Sequence, residues 1–374
     1  MKVALISDWL VSYAGSEKVE EAILGLFPQA DVFTCVFNRE AFKGTGFEKV
    51  RVTESFIARL PGALKHYQKY LPLMPLAVEQ FDLSAYDVVI SSSHAVAKGV
   101  LTGPDQLHIC YCHTPIRYAW DFQHQYLNES GMGRGPKGWL ARYLLHRFRI
   151  WDVRTAHGVD HFIANSRYIG RRIRKVYGRD ADVIYPNVAV NDFSLVPEKE
   201  SFYLAASRLV PYKRIDLVVE AFSQMPDRQL VVIGEGDQED KIRRMLTPNI
   251  TFLGHQPFAE LRGYLQRAKA FVFAAEEDFG IMPIEAQACG TPVIAYARGG
   301  ALETVQNGKT GIHFDRQTPQ SIREAVENFE TKGVSFGASE IRQHAESFSR
   351  ERFDREMEAF VLERWGALKM RRGF

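Results

Sequence analysis

Two carboxylates eight residues apart, Glu277 and Glu285, bracket the run Asp278-Phe279-Gly280-Ile281-Met282-Pro283-Ile284. Carboxylates accept hydrogen bonds from sugar and ribose hydroxyls, and the free amides at a helix N-terminus bind phosphate or hydroxyl oxygens. The apolar run Ala270–Ala274 just upstream reads as a strand. Pro283 suits a first helical position, where its missing N–H is not needed; Gly290 closes the helix and Pro292 opens the next strand. This spacing predicts Glu277 in the strand-to-helix loop and Glu285 in the first helical turn. The amides of Phe279, Gly280, Ile281 and Met282 then lie between the two acids. A plainer reading has Glu285 only complementing the helix dipole and Glu277 solvated; the Phe-Gly-Ile-Met-Pro context favours a site.

Three further segments carry candidate chemistry. Arg208 and Lys213 stand five residues apart after the strand-like run Phe202–Ala206. A planar guanidinium and a point-charge ammonium at a strand end can clamp a diphosphate and neutralise it as a leaving group. A solvated basic loop is the plainer alternative. His113 follows the apolar run His108–Cys112, where a ligand-facing residue of an α/β sheet is expected. Arg117, Tyr118 and Trp120 follow it and can line an acceptor or simply pack. In the first strand–helix turn, Gly15 permits close backbone approach and Ser16 can cap the next helix. There is no Gly-x-Gly-x-x-Gly, which argues against a dinucleotide dehydrogenase. Asp180-Ala181-Asp182 precedes a short strand instead of ending one and reads as surface charge. Gly234-Glu235-Gly236-Asp237 shapes the floor of a nucleotide site more plausibly than it binds metal.

The elements that must position these residues alternate along the chain. Val3–Ser7, Ala30–Phe37, Asp87–Ser91, His108–Cys112, Val159–Ala164 and Val183–Tyr185 read as strands, with helices such as Ser16–Leu26 and Tyr168–Tyr177 between them. The stretch 186–200 lacks periodicity and reads as a linker, after which strands and helices alternate again from Phe202 to Tyr296. Two successive parallel α/β units follow, and 374 residues fit two cores better than one. The expected domains are residues 1–186, 187–349 and a terminal helix in 350–374 that packs back on the N-terminal domain through Phe353, Met357, Phe360, Val361 and Trp365.

Composition narrows the classes. With 46% apolar and 25% charged residues the chain is an ordinary globular one, and a net charge of +2 gives no general polyanion affinity, so nucleic acid is not an expected partner. The four cysteines, Cys35, Cys110, Cys112 and Cys289, lack zinc-like spacing and read as free buried thiols. The opening strand is too short for a signal peptide, and no run of 18 apolar residues exists, so a cytoplasmic location is expected. The segment Lys137–Arg154 mixes Trp139, Leu140, Tyr143, Leu144, Phe148 and Trp151 with four arginines and suits peripheral contact with the inner face of an anionic membrane, or a helix packed in the N-terminal domain.

The four segments together, in this order, resemble the retaining GT-B glycosyltransferases of the large bacterial Glu-x7-Glu family, which includes GDP-mannose-dependent mannosyltransferases of lipopolysaccharide and capsule assembly. The likeness implies an α/β fold of two facing Rossmann-like domains, the N-terminal one binding the acceptor and the C-terminal one the nucleotide sugar. It implies that Glu277 contacts the transferred sugar and Glu285 the ribose, that Arg208 and Lys213 clamp the diphosphate, that His113 sits near the sugar, and that Gly15 and Ser16 form the loop over donor and acceptor. Asp278 stands where the family usually has glycine, and Gly15-Ser16 where it often has two glycines. The implied reaction moves mannose from GDP-mannose, without a metal or other cofactor, to a carbohydrate or polyprenyl-diphosphate-linked acceptor. Two rival classes share the fold: an epimerase or phosphorylase, and a nucleotide-sugar-binding protein without turnover.

Overall fold

A computed structural model describes residues 1–129, 131–331 and 337–371. The chain divides into two compact units, Met1–Asn187 with the chain end from Phe353, and Val188–Arg352. The first holds β1 (Val3–Ser7), β2 (Asp31–Thr34), β3 (Val52–Glu54), β4 (Val88–Ser93), β5 (Leu107–Cys112), β6 (His161–Ala164) and β7 (Ala181–Val183). Their order across the sheet is β3-β2-β1-β4-β5-β6-β7, all parallel. The second holds β8 (Tyr203–Ala206), β9 (Leu230–Ile233), β10 (Ile250–Gly254), β11 (Ala270–Phe273), β12 (Val293–Tyr296) and β13 (Gly311–Phe314), in the order β10-β9-β8-β11-β12-β13, again parallel. Both are α/β sheets of the Rossmann-like kind.

The central strands read as near-continuous apolar runs because helices cover both faces. Every residue of β1 is buried, as is every residue of β4, β5 and β11. Each fully buried Leu, Ile, Val or Phe contributes about 1.5–3 kcal/mol relative to exposure, so the sheet centres are the rigid part of each unit. The terminal helix Arg350–Arg371 places Phe353, Met357, Phe360 and Val361 in one core with Val3, Leu5, Val19 and Ile90, and Trp365 packs against it. The helix thus serves the N-terminal unit although it follows the C-terminal one in sequence. Residues 372–374 of the expected terminal element lie outside the described residues.

Strand order reverses between β1 and β4 in the first sheet and between β8 and β11 in the second. Loops leaving the C-terminal ends of such neighbours run to opposite sides and open a crevice, the usual ligand position of open α/β sheets. Asp8 and His94 leave the first reversal point; Arg208, Lys213 and Glu277 leave the second.

Candidate functional site

In the C-terminal unit the loops after β8 and β11 meet directly. The Lys213 ammonium bonds the Glu277 carboxylate, and both side chains are mostly enclosed, 15% and 20% exposed. Arg208 stands exposed on the same loop as Lys213. That loop is stitched to the one after β9: the Leu209 amide donates to the Glu235 carbonyl at 2.7 Å, and the Gln238 amide to the Leu209 carbonyl at 3.0 Å. The stitching demands glycine. Gly234 has φ +147°, and a Cβ there would lie 1.9 Å from the Ser207 carbonyl oxygen. Gly234 and its neighbours therefore shape the floor beneath the cations.

The helix Ile281–Ala288 begins where Gly280, at φ +91°, turns the chain into it. Its start corrects the expectation that Pro283 occupies the first helical position. The left-handed Gly280 lets the helix open two residues earlier, and Pro283 still falls within the first turn, where no intrahelical donor is lost. Glu285 accordingly opens the second turn instead of closing the first and is buried, 8% exposed. Phe279 is buried against Phe348 with ring centroids 5.7 Å apart, so it anchors the loop and offers its backbone, not its ring. Ile281 and Met282 lie half-buried at the helix start. The Glu277 backbone is clamped from β12: the Gly300 amide donates to the Glu277 carbonyl at 2.8 Å. A Cβ on Gly299 would stand 2.1 Å from that same oxygen.

The N-terminal unit builds a second polar cluster at its own reversal point. The buried Asp8 carboxylate accepts the amides of His94 (2.7 Å), Ala95 (2.9 Å), Val96 and Ala97 (2.6 Å), and His94 Nδ1 lies 3.0 Å from it. Burial alone would raise the Asp8 pKa, but the His94 charge and these hydrogen bonds draw it down to about 2. His113 follows β5 and pairs through Nε2 with the Ser92 hydroxyl at 2.8 Å. Desolvation, then the charge of His94, pushes its pKa down to about 3, so the ring is neutral at physiological pH. Its carbonyl accepts from Asn165 Nδ2 at 3.0 Å. Trp9 lies edge-on to His94, centroids 4.7 Å apart.

The helix Gly15–Leu26 begins one residue earlier than expected. Ser16 is therefore inside it and does not cap it; the Glu17 carboxylate returns to the Ala14 amide at 2.9 Å and takes that role. Trp120 is not free to line a ligand, since its indole N–H donates to Asp152 at 2.8 Å. Asp182 lies within edge strand β7, and it and Asp180 face Arg364 and Arg174 on the surface. All four cysteines are free and buried. Among the described residues no group of three or more His, Cys, Asp or Glu side chains is placed to hold a metal ion, and no helix is long and apolar enough to cross a membrane.

Sequence reasoning did not reach Asp8, His94, Gly299 or Gly300. Asp8 and His94 both directly follow strands, the position that located His113, and so could have been found by the same rule. The Gly299-Gly300 pair, three residues past β12, is a turn signal whose partner, Glu277, is fixed only by the fold.

Both halves of the chain match known protein families. Residues 27–191 match Glycosyltransferase Family 4, and residues 190–352 match Glycosyl transferases group 1. A GDP-mannose-dependent phosphatidylinositol monomannoside mannosyltransferase of Corynebacterium glutamicum is 40% identical over 26% of this chain and 30% of its own. The O-antigen chain mannosyltransferase of Salmonella typhimurium is 31% identical over 49% of this chain and 54% of its own. The chain spans less than two thirds of the length of the curated relatives it matches. The solved structure of sucrose-phosphate synthase from Thermosynechococcus elongatus shares the fold, with a TM-score of 0.74 at 18% identity over 98% of this chain and 100% of that one. With both halves matched in succession and the two parallel sheets of that fold, the chain belongs to the group 1 glycosyltransferases of GT-B architecture.

Proposed function

We propose that the chain is a retaining hexosyltransferase that moves mannose from GDP-mannose to a carbohydrate or polyprenyl-diphosphate-linked acceptor in surface polysaccharide synthesis, peripheral to the membrane. The observation that carries this reading is the meeting of Lys213 and Glu277 at the reversal point of the C-terminal sheet. A diphosphate drawn to Lys213 and Arg208 delivers the sugar it bears to Glu277. Glu285 and the amides of Phe279 to Met282, on the adjoining helix start, meet the nucleotide. The mannosyltransferase names of two relatives favour mannose, and the GDP-mannose dependence of one favours that donor.

In the proposed reaction the bond between the anomeric carbon and the diphosphate oxygen breaks while the acceptor hydroxyl bonds the same face of that carbon. GDP leaves with the bonding electron pair, and its phosphate oxygen takes the acceptor's proton. Lys213 and Arg208 stabilise the charge that develops on the leaving group, so the reading calls for no divalent metal. Neutral His113 hydrogen-bonds the sugar or acceptor and is not a charged acid, and Gly15 and Ser16 border the place of the acceptor in the N-terminal unit.

Calorimetric titration with GDP-mannose, GDP, UDP-glucose and UDP tests the donor, and transfer of labelled mannose to membrane extracts tests the reaction. Selective GDP binding, weakened in Glu285→Ala and Lys213→Ala, is the expected result. Selective UDP binding removes mannose from the proposal, and absence of any nucleotide binding removes the transferase reading.

A further inference from the structure

The N-terminal unit contains a cavity of about 550 Å³, within the range of small-molecule sites. Its walls come from the turns and short helix over residues 67–78, the helix Gln123–Glu129 and the helix Gly135–Ala156. Leu71, Pro75, Leu127, Leu145, Phe148 and Trp151 make the lining mostly apolar. Among the described residues, the charged side chains that reach it are both cationic, Lys69 and Arg147. Tyr118 also lines it, and the Tyr118 hydroxyl is buried with no hydrogen-bond partner. An unmet donor beside an apolar void is costly unless a ligand completes it.

The surroundings narrow the occupant. Outside the cavity the same elements expose Leu73, Leu76, Leu140, Tyr143 and Ile150, and Trp139 is 69% exposed, its ring stacked on Tyr143 at 6.0 Å. Apolar exposure of this density on a soluble unit marks a contact surface. Residues 55–78 and 131–151 together carry eight Lys and Arg and no Asp or Glu. Exposed aromatic and aliphatic side chains among these cations suit the interface of an anionic bilayer. A nucleotide or sugar would leave most of its polar groups unmet against this mostly apolar lining, whereas a hydrocarbon chain needs no partner there.

We propose that this cavity takes one hydrocarbon chain of an anionic, phosphate-bearing membrane lipid, with Lys69 and Arg147 beside the phosphate. The outer face of the helix Gly135–Ala156 rests in the interface, and the chain leaves the bilayer to enter beneath it. The Tyr118 hydroxyl donates to a lipid oxygen at the head of the chain. This deepens the lipid-linked acceptor proposed above by giving it an anchoring site, but its test reads lipid binding without transfer, so either can fail alone.

The test uses the full chain with Trp139→Phe, which removes the exposed indole. Vesicles of phosphatidylcholine and phosphatidylglycerol with chains brominated midway are added, and tryptophan emission and sedimentation are read together. The expected result is sedimentation with quenching, the quenched component disappearing in Trp139→Phe/Trp151→Phe. Ala141→Phe, which fills the cavity from its lining, should abolish the Trp151 quenching while sedimentation persists. An unchanged circular dichroism spectrum and melting temperature certify that variant's fold. Lys69→Glu/Arg147→Glu should weaken vesicle binding about tenfold or more, and neutral vesicles should bind as weakly. Sedimentation without Trp151 quenching, the same quenching in Ala141→Phe, or equal binding to neutral vesicles overturns the proposal.

Discussion

Replacing Glu277 by Gln should tighten GDP binding while abolishing transfer, and the opposite signs follow from the ion pair with Lys213. Without ligand, Lys213 is held by the Glu277 carboxylate. A diphosphate must displace that carboxylate or share the cation with it, and two anions beside one ammonium repel. Exposed ion pairs are worth about 0.2–1 kcal/mol, and hydrogen bonds to charged groups about 1.5–3 kcal/mol. A pair 15% and 20% exposed lies between these ranges. Freeing Lys213 is then worth about 1 kcal/mol to GDP, a roughly fivefold lower Kd. Lys213→Ala removes the cation itself and should cost about 1.5–3 kcal/mol, a roughly 10- to 100-fold higher Kd. Transfer depends on the carboxylate at the sugar, and its loss should lower kcat by about 100-fold or more. Calorimetry with GDP on the wild type, both single variants and the double variant, at one low ionic strength, reads the coupling directly. A Glu277→Gln protein that binds GDP more weakly than wild type would refute the reasoning, because Glu277 would then be supporting the diphosphate and not competing with it.

Acid should destabilise the N-terminal unit well above the carboxylate range. Burial pushes the His108 pKa down to about 4 from 6.5, so below about 6.5 the unfolded chain binds the proton first and stability falls until about 4. That gap corresponds to about 3 kcal/mol, and Asp8, lowered from 3.8 to about 2, removes about 2 kcal/mol more as pH falls through that lower window. Guanidinium midpoints read by tryptophan emission at pH 7, 5.5 and 4.5 check this; a flat series contradicts it, and His108→Gln should lessen the slope of the upper part without abolishing it, because His113, lowered to about 3, titrates in the same sense. Because the His113 pKa lies near 3, kcat/KM should show no inflection at 6–7 that disappears in His113→Asn. Lys98→Met strands the fully buried Asp152, leaving it only Trp120 and Tyr177, and should cost about 3–5 kcal/mol in a thermal or denaturant melt. Gly299→Ala places a methyl 2.1 Å from the Glu277 carbonyl oxygen and must displace that loop; transfer should fall by about 100-fold with far-UV dichroism unchanged.

The sheet centres were legible because burial on both faces writes itself as apolar runs, and β1 has the expected bounds residue for residue. The edges were not. β3 is three residues long with no buried position, so neither period nor hydrophobicity marks it. The stretch 39–73 is mostly 3-10 turns, which carry no 3.6-residue stripe. At the site, residue types at strand ends pointed to Arg208, Lys213, Glu277, Glu285 and His113, but their partners are tertiary. Lys213 and Glu277 lie 64 residues apart. The helix beginning at Ile281 depends on a φ that only glycine adopts readily, and a proline two residues later disguised it.

The acids at the two reversal points show why a strand-end position is necessary for chemistry and not sufficient. Asp8 and Glu277 each follow a central strand, and each faces a cation or a histidine. Asp8, however, is fully buried and spends both oxygens on four backbone amides, with His94 as a further partner. Backbone donors cannot swing away, so turning Asp8 toward a ligand would orphan the turn that follows β4 at a cost of about 1–3 kcal/mol for each amide. Asp8 is therefore spent on shape: it fixes the turn and holds His94 in place. Glu277 is held at its backbone, through Gly300, and its carboxylate bonds the tip of a lysine. A lysine side chain can follow a phosphate without disturbing any strand. A carboxylate fixed at its root and bonded at its tip to a movable side chain is one that can exchange a cation for a hydroxyl, and among these two acids only Glu277 is built that way.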